Sequence, residues 1–178
     1  MRTPSVRPSG VQRTFGTDEV IVTKTDLQGR ITYCNDVFLR MARYTEAEVM
    51  GAPHSIIRHP DMPRAVFGLL WSEIQAGHEI FAYVNNLASD GSNYWVFAHV
   101  TPTFVNGRIV GYHSNRRSPD PAAVRTVAGL YQAMLQEEHR HSHPVEAIDA
   151  STALLLSVLA DRGVTYDELV WSLAGASA

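Results

Sequence analysis

Residues 79–117, EIFAYVNNLASDGSNYWVFAHVTPTFVNGRIVGYHSNRR, decide the fold. Asp90-Gly91 and Asn106-Gly107 divide this stretch into three β-rich runs, residues 80–87, 94–104 and 109–116. Asp-Gly and Asn-Gly between such runs are strong hairpin signals, because the favoured two-residue turns need positive φ. Three consecutive antiparallel strands are therefore expected. Upstream, Val20-Ile21-Val22-Thr23 is short and β-branched, Asp26-Leu27-Gln28-Gly29 is a turn, and Ile31-Thr32-Tyr33-Cys34 is the return strand.

Between the two strand groups the pattern is helical. Asn35 and Asp36 can cap a helix over residues 37–42. Thr45-Glu46-Ala47-Glu48 fits a capping box for a second short helix that stops near Gly51 and Pro53. Ala65, Leu69, Leu70, Trp71 and Ile74 fall at helical spacing up to Gly77. Two strands, three helices and three strands predict an α+β fold: a five-stranded antiparallel sheet with helices on one face. Such an order leaves a concave, mostly apolar pocket between helix layer and sheet, the kind of place ligands favour.

The flanks differ in character. Residues 1–15 mix Arg, Pro, Ser and Gly without periodicity and read as a flexible arm, with Val11 and Phe15 as weak candidates for pairing with a second subunit. The folded domain is expected over residues 16–118. Residues 119–178 read as C-terminal helices: Asp120 caps, Pro121 suits the first helical position, and Val124, Val127, Tyr131 and Met134 form an apolar stripe for a partner surface. The run from His139 to Pro144 breaks that pattern, residues 145–159 are a second apolar helix ending near Gly163, and Thr165 to Glu168 is another capping box. The alternation His139, His141, His143 can bind a transition metal, although a solvated helix junction explains it as well.

Composition excludes several classes. The 178 residues are 45% hydrophobic, enough for a core, with a net charge of −3. No basic block or finger spacing supports nucleic-acid binding. No apolar run of about 18 residues spans a bilayer, and no secretory signal appears, so a cytoplasmic location is expected. A single cysteine, Cys34, excludes an intrachain disulfide, suits a reducing compartment, and reads as a small buried residue. No G-x-S-x-G, H-E-x-x-H or phosphate-loop pattern suggests an enzyme.

Arg58-His59-Pro60-Asp61-Met62-Pro63 places two potential cations and a carboxylate on a loop stiffened by two prolines. Charged groups held in set directions suit binding, and a solvated helix entry is the plainer alternative. Together with Thr25-Asp26-Leu27-Gln28-Gly29, Asn35-Asp36-Val37-Phe38, Tyr44-Thr45-Glu46, Phe67, Trp71, Asp90-Gly91-Ser92-Asn93-Tyr94-Trp95 and the block from Asn106 to Tyr112, this loop gives residues 16–118 a resemblance to a PAS domain. More closely, the segment resembles the flavin-binding PAS domain of bacterial aerotaxis receptors. The resemblance implies FAD held non-covalently between helices and sheet, and redox signalling to a chemotaxis-like or kinase partner or to a second copy in a homodimer. Carried over residue by residue, the flavin contacts it implies are Asn35, Arg58, His59, Asp61, Phe67, Trp71, Asn86, Trp95 and Tyr112. The chain departs from the pattern at Glu79-Ile80-Phe81, where the family tends to have a tryptophan, and Phe81 is expected to serve as the aromatic wall.

The residue types fit that chemistry. Phe67, Trp71, Trp95 and Phe81 can form an apolar slot, Asn35, Asn85 or Asn86 can donate and accept at once, and Arg58 oriented by Asp61 can fork onto phosphate or carbonyl oxygens. Core packing, an exposed strand residue and a surface ion pair are the plainer readings of the same residues. An amide such as that of Asn86 is expected to respond when flavin N5 changes from acceptor to donor on reduction, and to pass the change to the helix starting at Pro121. Two other readings stay open: haem ligated by His54, His59, His78, His99 or His113, and a ligand-free dimerisation module whose pocket is filled by Phe38, Phe67, Trp71 and Phe97.

Overall fold

The computed structural model describes residues 6–175. Five strands form one antiparallel sheet: β1 (Ile21–Thr25), β2 (Ile31–Cys34), β3 (Ile80–Leu87), β4 (Asn93–Val105) and β5 (Arg108–Arg117), in the order β2-β1-β5-β4-β3. The β4–β5 turn is the one its sequence demands: Asn106 has φ 49° and Gly107 φ 74°, the left-handed pair that matches strand twist. Between β2 and β3 lie α1 (Asp36–Ala42), α2 (Glu46–Val49), a 3-10 turn (His54–Ile57) and α3 (Arg64–Gln75). The capping box predicted at Thr45 is present, with both Thr45 and Glu48 engaged.

These helices cover one face of the sheet. Phe38 and Met41 of α1, fully buried, join Ile21, Ile31, Val96 and Ala98 in the core. Burying a Phe of this kind contributes about 1.5–3 kcal/mol. The pleat decides what each strand offers. On β4, Tyr94, Val96, Ala98 and Val100 are buried on the helix side, while Trp95, Phe97 and His99 alternate to the other face.

That other face is covered at β3 and β4 by two of the three C-terminal helices, α4 (Pro121–Glu138) and α6 (Tyr166–Ala174), with α5 (Pro144–Arg162) between them in the chain. Tyr131 of α4 stacks on Trp95 and donates its hydroxyl to the Tyr83 carbonyl at 2.8 Å. Trp171 of α6 sits on Phe81 and Phe97. The helices pass round the β3 edge, and α5 returns to pack against α3. The apolar stripe expected to await a partner is thus covered from within the chain: Val127, Tyr131 and Met134 are buried here. Among the described residues no helix is long and apolar enough to cross a membrane.

The arm differs from expectation. Residues 1–5 lie outside the described residues, but the rest is not a free tail. The Ser9 N–H donates to the Gly91 carbonyl, Asn93 exchanges backbone hydrogen bonds with Val11 and Arg13, and Phe15 is buried. Gly91, with φ 83°, accepts this close approach because a Cβ there would meet the Arg7 carbonyl. Composition gave no sign of this, because backbone pairing needs no side-chain pattern.

Candidate functional site

A cavity of about 420 Å³ lies between α3, the 3-10 turn and the inner face of β1, β3, β4 and β5, within the size range of small-molecule sites. Its walls are mostly apolar: Ile57, Phe67, Leu70, Trp71, Ile74, Val84, Val100 and Tyr112. Trp71 meets Tyr112 edge-on, with ring centroids 5.5 Å apart, and its six-membered ring lies over Gly29. The Arg58 guanidinium stacks on Phe67, 4.1 Å from the ring centroid. Arg58 also forms a backbone bridge with Asn86, so the proline-bounded loop closes the β3 edge beside the cavity.

Polar groups converge at the β1–β5 end. Arg116 is buried, and its Nη2 donates to Thr23 Oγ1 at 2.7 Å and to His54 Nε2 at 2.5 Å. Burial, and then the Arg116 charge, hold the His54 imidazole well below its ordinary value, so His54 is a neutral acceptor. Burial lowers Arg116 to about 10, which leaves it cationic at neutral pH. Among the described residues no carboxylate pairs with Arg116, and no Asp or Glu lines the cavity. Arg116 Nη1, Asn86 Nδ2 and Ser114 Oγ are buried without a hydrogen-bond partner. Among the described residues no protein group accepts from these three donors, and their convergence on one cavity makes a donor-rich wall that suits an acceptor-rich ligand.

Of the nine residues expected to contact a flavin, the cavity unites five: Arg58, Phe67, Trp71, Asn86 and Tyr112. The other four lie elsewhere. Asn35 is the α1 cap, accepting from the N–H groups of Phe38 and Val22 and donating to the Val20 carbonyl. His59 is buried within its loop and accepts from the Asp61 N–H, while the Asp61 side chain is 77% exposed. Trp95 is on the opposite face of the sheet, under α4. Phe81, the expected aromatic wall, also points away and stacks on His99 at 4.2 Å. The pleat explains both: odd-numbered residues of β3 and β4 face α4 and α6, even-numbered ones the cavity. Arg116 and Ser114 were missed, and His54 was singled out only as a candidate haem ligand. Period-two alternation from Tyr112 puts Ser114 and Arg116 on its face, which was a readable signal.

Residues 31–116 match the PAS fold family. The chain carries a PAS domain. The domain is similar to the aerotaxis receptor of Escherichia coli strain K12, with 38% identity over 117 residues, 66% of this chain and 23% of the receptor. It is also similar to the bacterioopsin transcriptional activator of Halobacterium salinarum, 27% identical over 89 residues, 50% of this chain and 13% of that protein. The chain therefore spans less than a quarter of these relatives. Among solved structures, the light state of the Aureochrome1 LOV photoreceptor superposes with a TM-score of 0.57 at 18% identity, covering 61% of this chain and 88% of that one. A light-oxygen-voltage domain studied with a flavin analogue gives 0.57 at 17% identity, covering 70% and 91%. At such identities they establish the PAS fold and nothing finer.

Proposed function

We propose that this PAS domain is a cytoplasmic redox sensor that holds FAD non-covalently in the cavity and signals through contacts with a chemotaxis-like or kinase partner, or with a second copy. The observation that carries the reading is the set of buried, unpartnered donors, Arg116 Nη1, Asn86 Nδ2 and Ser114 Oγ, set among aromatic and aliphatic walls. A flavin presents a flat apolar ring system edged with carbonyl oxygens and ring nitrogens, and these donors suit that edge. The similarity to the aerotaxis receptor points the same way. Cys34, the only cysteine, is on β2 and not in the cavity wall, which accords with non-covalent binding.

When bound, the flavin supplies reversible electron uptake, with its N5 changing from hydrogen-bond acceptor to donor. The chain's own groups do the rest. Arg116 and Asn86 donate into the cavity, Phe67, Trp71 and Tyr112 exclude water, and Arg58 with exposed Arg64 supplies positive charge at the α3 side. Asn86, an amide able to reverse its donor and acceptor ends, lies on β3, whose Tyr83 carbonyl is held by α4. Haem ligation through Nε2, at the two histidines of the cavity wall, would need that nitrogen free. His54 Nε2 is engaged by Arg116, and His113 Nε2 lies 3.0 Å from Asn115 Oδ1. A ligand-free module would need a filled pocket, yet Phe38 is core and Phe97 is on the far face. The test is an absorption spectrum of the purified chain before and after dithionite, with chromatography of the released cofactor. Flavin bands that bleach, and FAD on release, support the reading; a Soret band or a colourless protein refusing FAD overturns it.

A further inference from the structure

We propose that Glu138 makes the C-terminal helices responsive to cavity occupancy: its carboxylate caps α3 and provides counter-charge to Arg58, so an anionic dinucleotide that engages Arg58 loosens the α4–α5 hairpin. This rests on the flavin reading for the identity of the ligand, though not for the coupling itself.

Glu138 is the last residue of α4 and is only 6% exposed. A buried carboxylate needs partners. One is the Ala65 N–H in the first turn of α3, which donates to Glu138 Oε1 at 3.2 Å. Pro63, at the N-cap of α3, offers no side-chain acceptor, so Glu138 supplies from another helix what the local sequence lacks. The other is the Arg58 guanidinium, which lies over Phe67, two residues along α3 from the Ala65 that Glu138 caps. Burial lowers the Arg58 guanidinium, the Glu138 carboxylate opposes that lowering, and Arg64 adds to it. No direct ion pair joins Glu138 to Arg58 among the described residues, and the guanidinium lies instead on Phe67 at the cavity. Its charge is therefore open to a ligand anion in the cavity while it acts at the same α3 turn that Glu138 caps.

The geometry gives this competition a route outward. Helix α4 is fastened to both walls of the cavity: to β3 by the Tyr131 hydroxyl on the Tyr83 carbonyl, and to α3 by Glu138 on Ala65. The next helix adds Ile148 to the cavity lining itself, packed where Gly68 has no side chain. An anion that takes up the charge of Arg58 leaves Glu138 buried with less compensation. The cost falls on the α4–α3 junction, because removing one partner of a buried charge destabilises what the other holds. Coupling of this kind is reciprocal, so a weakened Glu138 must also raise affinity for the anion.

The test is backbone hydrogen exchange on the full chain, in the α3 first turn and across α4–α5, for wild type, Arg58→Gln, Glu138→Gln and the double variant. Gln keeps an acceptor for Ala65 and removes only charge. Without ligand, Arg58→Gln is expected to speed exchange at the α4–α5 junction roughly five- to tenfold in the wild-type background, and less than about twofold with Glu138→Gln already present. With saturating FAD the wild type shows the same acceleration, the Glu138→Gln variant does not, and that variant binds FAD more tightly. Additive effects in the ligand-free cycle would overturn the coupling whatever FAD does. FAD binding with no change in α4–α5 exchange would overturn the switch. Failure of the wild type to bind FAD, with the cycle still non-additive, would remove the flavin reading and this ligand while leaving the Arg58–Glu138 link.

Discussion

Arg116 Nη2 lies 2.5 Å from His54 Nε2, joining the end of β5 to the 3-10 turn across the mouth of the polar end of the cavity. A buried cation has taken a neutral imidazole and a threonine hydroxyl as its partners, with one nitrogen, Nη1, left over. Such an arrangement is poor for stability and good for grip.

Arg116→Met follows directly from that. Replacing a buried, incompletely paired charge by an apolar side chain of similar reach is often neutral or stabilising. The apoprotein is expected to keep its stability or gain about 1 kcal/mol in urea unfolding. Flavin affinity is expected to fall roughly ten- to hundredfold, the worth of hydrogen bonds from a charged donor. A large loss of stability with unchanged affinity would make Arg116 a structural residue.

Stability should fall on acidification. The unfolded chain protonates His54 as pH drops through 6.5, whereas the folded chain, with the imidazole held well below that value by burial and Arg116, does not. The unfolded state then binds more protons, so the contribution of His54 is full above pH 6.5 and is lost as pH falls toward the folded value. His59, lowered by burial against the opposing charge of Asp61, acts in the same direction. Each adds at most about 1.4 kcal/mol per pH unit to the slope. Urea midpoints between neutral pH and mild acid should show a flatter profile for His54→Gln than for wild type.

Two asparagines separate binding from folding. Asn35→Ala removes the α1 cap and the bonds to Val22 of β1 and to Val20 just before it, and is expected to cost about 1–2 kcal/mol of stability while leaving flavin content unchanged. Asn86→Ala removes an unpartnered buried donor, so apoprotein stability should hold while affinity drops by roughly 1–3 kcal/mol. Denaturation curves and cofactor retention, measured on both variants, decide the assignment. If Asn86→Ala keeps both its flavin and its redox-dependent partner binding, Asn86 is not the responding amide.

The tryptophans divide similarly. Trp71→Ala opens the cavity wall beside Gly29 and Tyr112 and should release the cofactor. Trp95→Leu should retain it, and should instead loosen α4 by removing a ring 6.2 Å from that of Tyr131, a contact worth about 0.5–1.5 kcal/mol beyond its area. Flavin content together with protease sensitivity of α4 distinguishes the two.

The fold was readable because its signals are local. Asn106-Gly107 accepts only a tight hairpin, and Thr45 with Glu48 closes a capping box within four residues. The sequence placed residues at the cavity wall where the motif and the pleat agree, as at Phe67, Trp71 and Asn86. It misled where a residue type fits two roles: Asn35 serves as a cap, and the rigid loop aims Asp61 at solvent. Trp95 and Phe81 were misplaced by one step of a two-residue period, which sends a side chain to the opposite face. The Glu138–Ala65 bond spans residues 73 apart in the chain, and no local pattern announces such a contact.

The most direct measurement of the central claim is an equilibrium titration of the apoprotein with FAD, followed by flavin fluorescence, beside the same titration of Arg116→Met. Saturable binding at one site per chain, weakened at least tenfold in the variant, is the predicted result. No saturable binding by the wild type, or equal affinity in both proteins, would contradict it.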